Sequence, residues 1–100
     1  MVKTKNNRPV SIHKWVAGEL GSRIVGGTYS PGEYIPNETN LGEELGVSRT
    51  ALREAFKTLT AKGLIESRPK LGTRIKEQKH WNMFDSDVLE WFFSTEPTVS

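Results

Sequence analysis

The apolar residues of this chain change spacing along its length, and each change marks an element. Ile12, Trp15, Val16, Leu20 and Ile24 recur at the intervals of one helix face, with Ser11 placed to cap the start and Gly26-Gly27 to stop it. Gly21 inside that helix costs about 1 kcal/mol relative to alanine, so the helix needs tertiary support. The next stretch, TYSPGEYIPNE (28–38), is turn chemistry. Pro31-Gly32 favours a tight turn and Pro36 holds Ile35 extended, which leaves space for a very short strand at Tyr34-Ile35. Asn37 is a candidate cap for a second helix with Leu41 and Leu45 inward. Position 40 is Asn, so the Glu or Gln of a capping box is missing.

The second helix ends at Gly46 and a third starts after Ser48. Leu52, Ala55, Phe56 and Leu59 then follow i, i+3, i+4, i+7 as one apolar stripe, closed by Lys62-Gly63. LIESRPKLGTRIKE alternates and turns, which predicts a strand near 64–68, a loop at Pro69–Gly72 and a return strand near 73–76. In HWNMFDSDVLEWFF, Asp85 or Ser86 is the candidate cap of a short helix. Val88, Leu89, Phe92 and Phe93 form its inward face, with Trp91 beside them. The predicted fold is mainly α with a small β-hairpin (α+β): helix, short strand, helix, helix, hairpin, plus a C-terminal linker helix. Residues 1–10 are polar and basic without periodicity and read as a flexible arm. The folded domain is expected over 11–79, and an aromatic linker over 80–100.

The stretch LGEELGVSRTALREAFK (41–57) has the internal logic of a helix-turn-helix. Two helices that cross steeply need a small residue where they approach, which Gly42 supplies, and a sharp turn, which Gly46 can make at positive φ. Val47 plugs the angle, Ser48 caps the next helix and Leu52 packs back on the first. Outward from the third helix point Ser48, Arg49 and Thr50, with Arg53 one turn on and Lys57 beyond it. The start of such a helix enters the major groove of DNA. Arginine there reaches guanine O6 and N7 with two parallel hydrogen bonds, while hydroxyls suit phosphate oxygens. The competing reading is a solvated face, with Arg53 or Lys57 paired to Glu54 or Glu43. A following hairpin turns the balance toward a winged helix. Its tip would carry Arg68, Lys70 and Arg74, with Gly72 allowing close backbone approach and the wing lying on the backbone or minor groove.

Composition sharpens this picture at one point. The net charge of +2 conceals an asymmetry: all 14 Lys and Arg fall in residues 1–80 with eight acids, while residues 81–100 hold four acids and no base. A basic body is expected to meet an anionic partner, and the acidic aromatic tail to do something else. The absence of cysteine excludes a disulfide framework and a thiolate metal site, and fits a cytoplasmic protein. No apolar run approaches the ~20 residues of a membrane span. An enzyme reading rests on His13 and on His80 near Asp85 and Asp87, a set more common as capping groups than as metal ligands. No cofactor is expected.

Residues 24–75 resemble the N-terminal domain of the GntR family of bacterial transcription regulators, through PGEYIPNE, LGEELGVSRTALREAFKTL and KGLIESRPKLGTRI. The tail WNMFDSDVLEWF resembles the linker of the fatty-acid and sugar-acid (FadR-like) branch, which leads there into an all-helical effector domain. The resemblance implies sequence-specific binding of double-stranded DNA, probing a near-palindromic operator as a homodimer. It also implies repression of a carboxylate or sugar-acid operon, with a small carboxylate effector held by the missing domain. Ser48, Arg49, Thr50 and Arg53 match the family's recognition-helix contacts, and Thr73 after Gly72 matches its wing strand. Two positions depart from the pattern. Thr39 stands where members often carry arginine, which puts one base or phosphate contact in doubt. Lys70 replaces the first glycine of the wing, where its side chain either hinders minor-groove approach or exchanges it for a phosphate contact.

Only seven residues follow Phe93, so the chain is expected to be a piece of a longer regulator. The aromatics Trp81, Trp91, Phe92 and Phe93 leave a second reading open, a winged helix that binds protein through this face. They are expected to fold back on the first helix or to pair two chains.

Overall fold

The computed structural model describes residues 11–95, with side chains through Ser94. The basic arm expected at 1–10 and the end of the chain from 96 lie outside the described residues. The elements are α1 (Ile12–Val25), α2 (Glu38–Leu45), α3 (Arg49–Ala61), β1 (Ile65–Arg68), β2 (Gly72–Ile75), a single 3-10 turn (Gln78–His80) and α4 (Ser86–Thr95). The four helices and the hairpin come in the predicted order.

The core lies where α1, α2 and α3 meet the base of the hairpin. Leu20, Ile24, Leu41, Leu52, Leu59, Leu64, Ile65 and Ile75 are all buried there. The period of α1 is as expected, and Val16, Leu20 and Ile24 face inward as expected, but Ile12 and Trp15 do not. Val16, Ala17, Leu20, Gly21 and Ile24 face the core, while Ile12 and Trp15 are 55% and 53% exposed. α1 packs against both α3 and α4. That double packing rotates the buried stripe toward the small residues Ala17 and Gly21, and away from Ile12 and Trp15.

β1 and β2 pair antiparallel with Ile65 opposite Ile75, Glu66 opposite Arg74, Ser67 opposite Thr73 and Arg68 opposite Gly72. The short strand expected at Tyr34-Ile35 reduces to one bridge, Tyr34 to Arg74, supported by Ile35 N–H donating to Thr73 O at 2.9 Å. Beyond Ile35 the chain turns into the start of α2, where Asn37 Oδ1 accepts from Asn40 N–H at 2.8 Å. At the hairpin tip, Leu71 N–H closes the turn on Arg68 O at 3.0 Å. Lys70 sits there at φ 67°, the one positive-φ residue other than glycine among those described. A side chain in this left-handed region costs roughly 1–2 kcal/mol, which a glycine avoids.

The structure settles which residue caps α4. Asp85 is its cap, accepting from the N–H groups of Asp87 (2.8 Å) and Val88 (3.1 Å). Lys62 Nζ donates to Asp85 at 2.8 and 2.9 Å and to Asp87 at 3.0 Å, which ties the start of α4 to the end of α3. Burial opposes the Lys62 charge, yet the hydrogen bonds to Asp85 and Asp87 prevail and hold its ammonium above the ordinary lysine value. For Asp85, too, burial is the opposing influence. Lys62 and the two capping N–H groups overcome it and hold the carboxyl below its usual range.

The tail folds back on the first helix. Val88 is buried, and the indole of Trp91 lies flat over Gly21. A Cβ at position 21 would stand 2.8 Å from Cδ2 of Trp91 and closer still to Cε3 and Cζ3. The helix-breaking glycine noticed in the sequence is therefore the seat of an aromatic ring. Phe93, expected inward, is 70% exposed. Val88 and Trp91 are three residues apart and share the buried face, whereas Phe93 follows Val88 by five and falls outside it. Trp81 belongs to the core, with its Nε1 donating to Lys76 O at 2.9 Å.

Two substitutions test this packing. Gly21→Ala forces Trp91 off α1 and should destabilise the fold by about 1–3 kcal/mol, the usual range for overpacking. In a Trp15→Phe background its indole emission should move to the red; unchanged emission and stability would contradict the docked geometry. Lys70→Gly relieves the left-handed strain against the greater unfolded-state entropy of glycine, for a net gain of about 0.5–1 kcal/mol by thermal unfolding. Lys70→Ala should gain nothing, and a glycine variant no more stable than the alanine one would argue against the positive φ.

Candidate nucleic-acid interface

The corner between α2 and α3 is built as the sequence implies. Gly46 caps α2 in the left-handed region (φ 69°, ψ 35°), and its N–H reaches Gly42 O. Val47 N–H donates to the same carbonyl at 3.0 Å. A Cβ at Gly42 would lie 3.2 Å from Val47 O and 3.6 Å from Cδ1 of Leu52, so anything larger than glycine presses on the turn. Ser48 Oγ accepts from Ala51 N–H at 3.1 Å and starts α3, while Leu52 anchors the helix in the core.

The consequence is an exposed strip on α3. Ser48, Arg49, Thr50, Arg53 and Lys57 all lie in solvent, with the side chains of Arg49 and Arg53 64% and 63% exposed. Lys57 Nζ stands 3.3 Å from Glu54, the pairing anticipated for a solvated face. Arg53 does not turn to Glu54 or Glu43. Its Nη2 lies 3.7 Å from Glu38 Oε1, and Nε of Arg49 lies 4.0 Å from the same oxygen. Pairs this exposed are worth about 0–1 kcal/mol, so a stronger partner can replace them. Thr39 is exposed on α2 and shares a shallow hollow with Glu38, Gly42 and Arg49.

The hairpin stands beside this strip. A groove between α3 and the hairpin is lined by Glu38, Arg53, Phe56, Lys57, Ser67 and Thr73, and continues along Arg68, Lys70 and Gly72 to the tip. Arg53, Lys57, Arg68, Lys70, Gly72 and Thr73 line this groove, Glu38 joins it to the hollow beside Thr39 and Arg49, and Ser48 and Thr50 lie exposed at the start of α3.

One expectation about the wing needs correcting. Arg74 does not crowd the tip; it is held by Glu66 directly across the hairpin, in the register that pairs those two residues. The Arg74 hydrogen bond is the main reason the Glu66 carboxyl lies below its usual range. Arg68 is shared with the same acid at 3.5 Å. Among the described residues of the wing, Lys70 is the cation with no carboxylate beside it.

Sequence reasoning missed Glu38, Phe56 and Ser67 as parts of this face. Ser67 was recoverable, because a hairpin turning at Pro69–Gly72 sets it opposite Thr73 on one side of the strands. Glu38 had no such signal: an acid beside a cap is ordinary in any helix.

The rival readings fare differently. Asp85 and Asp87 hold Lys62 and the start of α4, and no group of three or more potential metal ligands occurs among the described residues. His80 is exposed and His13 lies beside Trp91. The aromatic surface is largely consumed within the fold by Trp81 and Trp91, which leaves Phe84 and Phe93 exposed.

Comparison with known proteins agrees with this architecture. The profile for bacterial regulatory proteins of the gntR family matches residues 13–75. The HTH-type transcriptional regulator YieP of Escherichia coli (strain K12) is 51% identical over 81% of this chain and 35% of its own length. The galactonate operon transcriptional repressor of the same organism is 42% identical over 77% of the chain and 34% of its own length. The chain thus spans about a third of these relatives. Among solved structures, the AraR DNA-binding domain in complex with operator ORX1 superposes with a TM-score of 0.64 at 33% identity, covering 67% of this chain and 81% of that one. Four helices and a hairpin in this order, a glycine corner that presents two arginines, and a family match running from α1 through β2 place the chain in the GntR family of bacterial regulatory proteins, which are regulators and not enzymes.

Proposed function

We propose that this chain is the DNA-reading part of a bacterial transcription repressor. The observation that carries the reading is the pair Arg49 and Arg53, both exposed and side by side at the start of a helix that a rigid corner projects outward. The solved AraR domain of the same fold was captured with an operator, and the named relatives include the galactonate operon repressor. In this reading α3 enters the major groove and Arg49 and Arg53 read base edges. Ser48, Thr50, Thr39 and Lys57 take phosphate oxygens. Arg68, Lys70, Gly72 and Thr73 lie on the backbone or in the minor groove. The full-length protein acts as a cytoplasmic homodimer on a near-palindromic operator, and a small carboxylate or sugar acid binds its effector domain. Among the described residues no helix is long and apolar enough to cross a membrane.

Arg49→Ala separates base reading from simple charge. On a preferred duplex at fixed salt it should lose about 1–3 kcal/mol, roughly 5- to 150-fold, and lose its preference at the base pair it reads. Lys70→Ala should weaken all duplexes alike and reduce the salt slope by about one. Undiminished binding by Arg49→Ala at moderate salt would overturn the major-groove assignment.

A further inference from the structure

Glu38 places a negative charge in the middle of a face otherwise suited to phosphate. Its Oε1 lies 3.7 Å from Arg53 Nη2 and 4.0 Å from Arg49 Nε, one carboxylate spanning both arginines of α3. Its side chain is only 32% exposed, about half the exposure of either arginine. The residue lines the groove between α3 and the hairpin and also the hollow beside Thr39, so it sits where α2, α3 and the wing converge. Capping does not explain this placement, since Asn37 already caps α2 through Asn40 N–H at 2.8 Å. Nor does the favourable field of a helix start, which an acid meets without reaching toward α3.

The chemistry of the two DNA surfaces gives the placement a meaning. Phosphates are anions, and a backbone laid across Arg49 and Arg53 in any register brings their charge toward Glu38. Base edges are neutral, and a cytosine amino group is a donor that a carboxylate accepts. A complex in which the arginines turn to phosphates therefore suffers the repulsion, while one in which they extend to base edges escapes it. Discrimination arises from a penalty on wrong complexes as readily as from a gain in right ones.

We propose that Glu38 is a specificity-determining residue of the DNA-reading face: it aligns Arg49 and Arg53 toward the bases and penalises docking on phosphates alone. The proposal rests on the DNA-reading function. It assigns discrimination against random sequence to a side chain that makes no favourable contact with the backbone.

The test compares the protein with Glu38→Gln and Glu38→Asp. Binding is measured by fluorescence anisotropy on a duplex selected from a random pool and on its scrambled counterpart, across a salt series. Glu38→Gln keeps the size and removes the charge. It should tighten the scrambled duplex about tenfold and steepen its salt slope by about one, with the selected duplex unchanged or weaker, so that the preference falls at least tenfold. Glu38→Asp keeps an acid at the helix start but withdraws it from the arginines, and should lose part of the preference. A residue serving only the helix start would leave Glu38→Asp like the wild type and would weaken both duplexes equally in Glu38→Gln. Either result overturns the proposal, as does an unchanged preference in both variants. An Arg49→Ala control that binds both duplexes like the wild type would point instead to failure of the DNA-reading function.

Discussion

Gly46 turns the chain through the left-handed region, and the direction of α3 follows from that turn. Its N–H and that of Val47 both end on Gly42 O, so the turn between α2 and α3 closes on one carbonyl of α2. The close approach is possible because Gly42 has no side chain to hold Val47 and Leu52 apart. Leu52, Ala55 and Leu59 then lock one face of α3 into the core, which leaves Arg49, Thr50, Arg53 and Lys57 no direction but outward. The exposed strip is thus the geometric remainder of a packing solution. That packing fixes the helix backbone beneath the strip, so contact with a partner orders side chains and not the chain itself.

Much of this was legible because the residues involved are constrained by local physics. The caps Ser11, Asn37 and Ser48 each accept a hydrogen bond from an N–H three residues on, as short polar residues at helix starts do. The glycine corner and the Pro69–Gly72 turn are equally local. What escaped the sequence were relations between distant elements. The buried phase of α1 depends on where α4 lands, 70 residues later in the chain, so Ile12 and Trp15 could not be told from core positions. Gly21 looked like a defect until Trp91 was found lying on it. Glu38 could not be distinguished from any other acid in a first helical turn until α3 and the wing closed around it.

The ends of the fold are joined by charge as well as by packing. Lys62, at the close of α3, holds Asp85 and Asp87 at the start of α4 and lies 5.8 Å from the centre of the Trp91 ring. The C-terminal helix is therefore fixed to α3 through its first turn and to α1 through Trp91, and anything that moves α4 acts on both α1 and α3. The wing is stiffened in a similar way by Glu66, which gathers Arg74 and Arg68 and leaves Lys70 as its free charge. Cations that the sequence could only count are divided by the fold into those that hold the structure together and those that face outward.

The central claim is that α3 reads base edges with Arg49 and Arg53 and does not merely attract a polyanion. The most direct measurement is selection of bound duplexes from a random pool, run in parallel with the wild type, Arg49→Ala and Arg53→Ala. An enriched motif containing guanines is expected, with each substitution relaxing a different position of it. A pool that stays unenriched, or a motif that survives both substitutions unchanged, would contradict the claim.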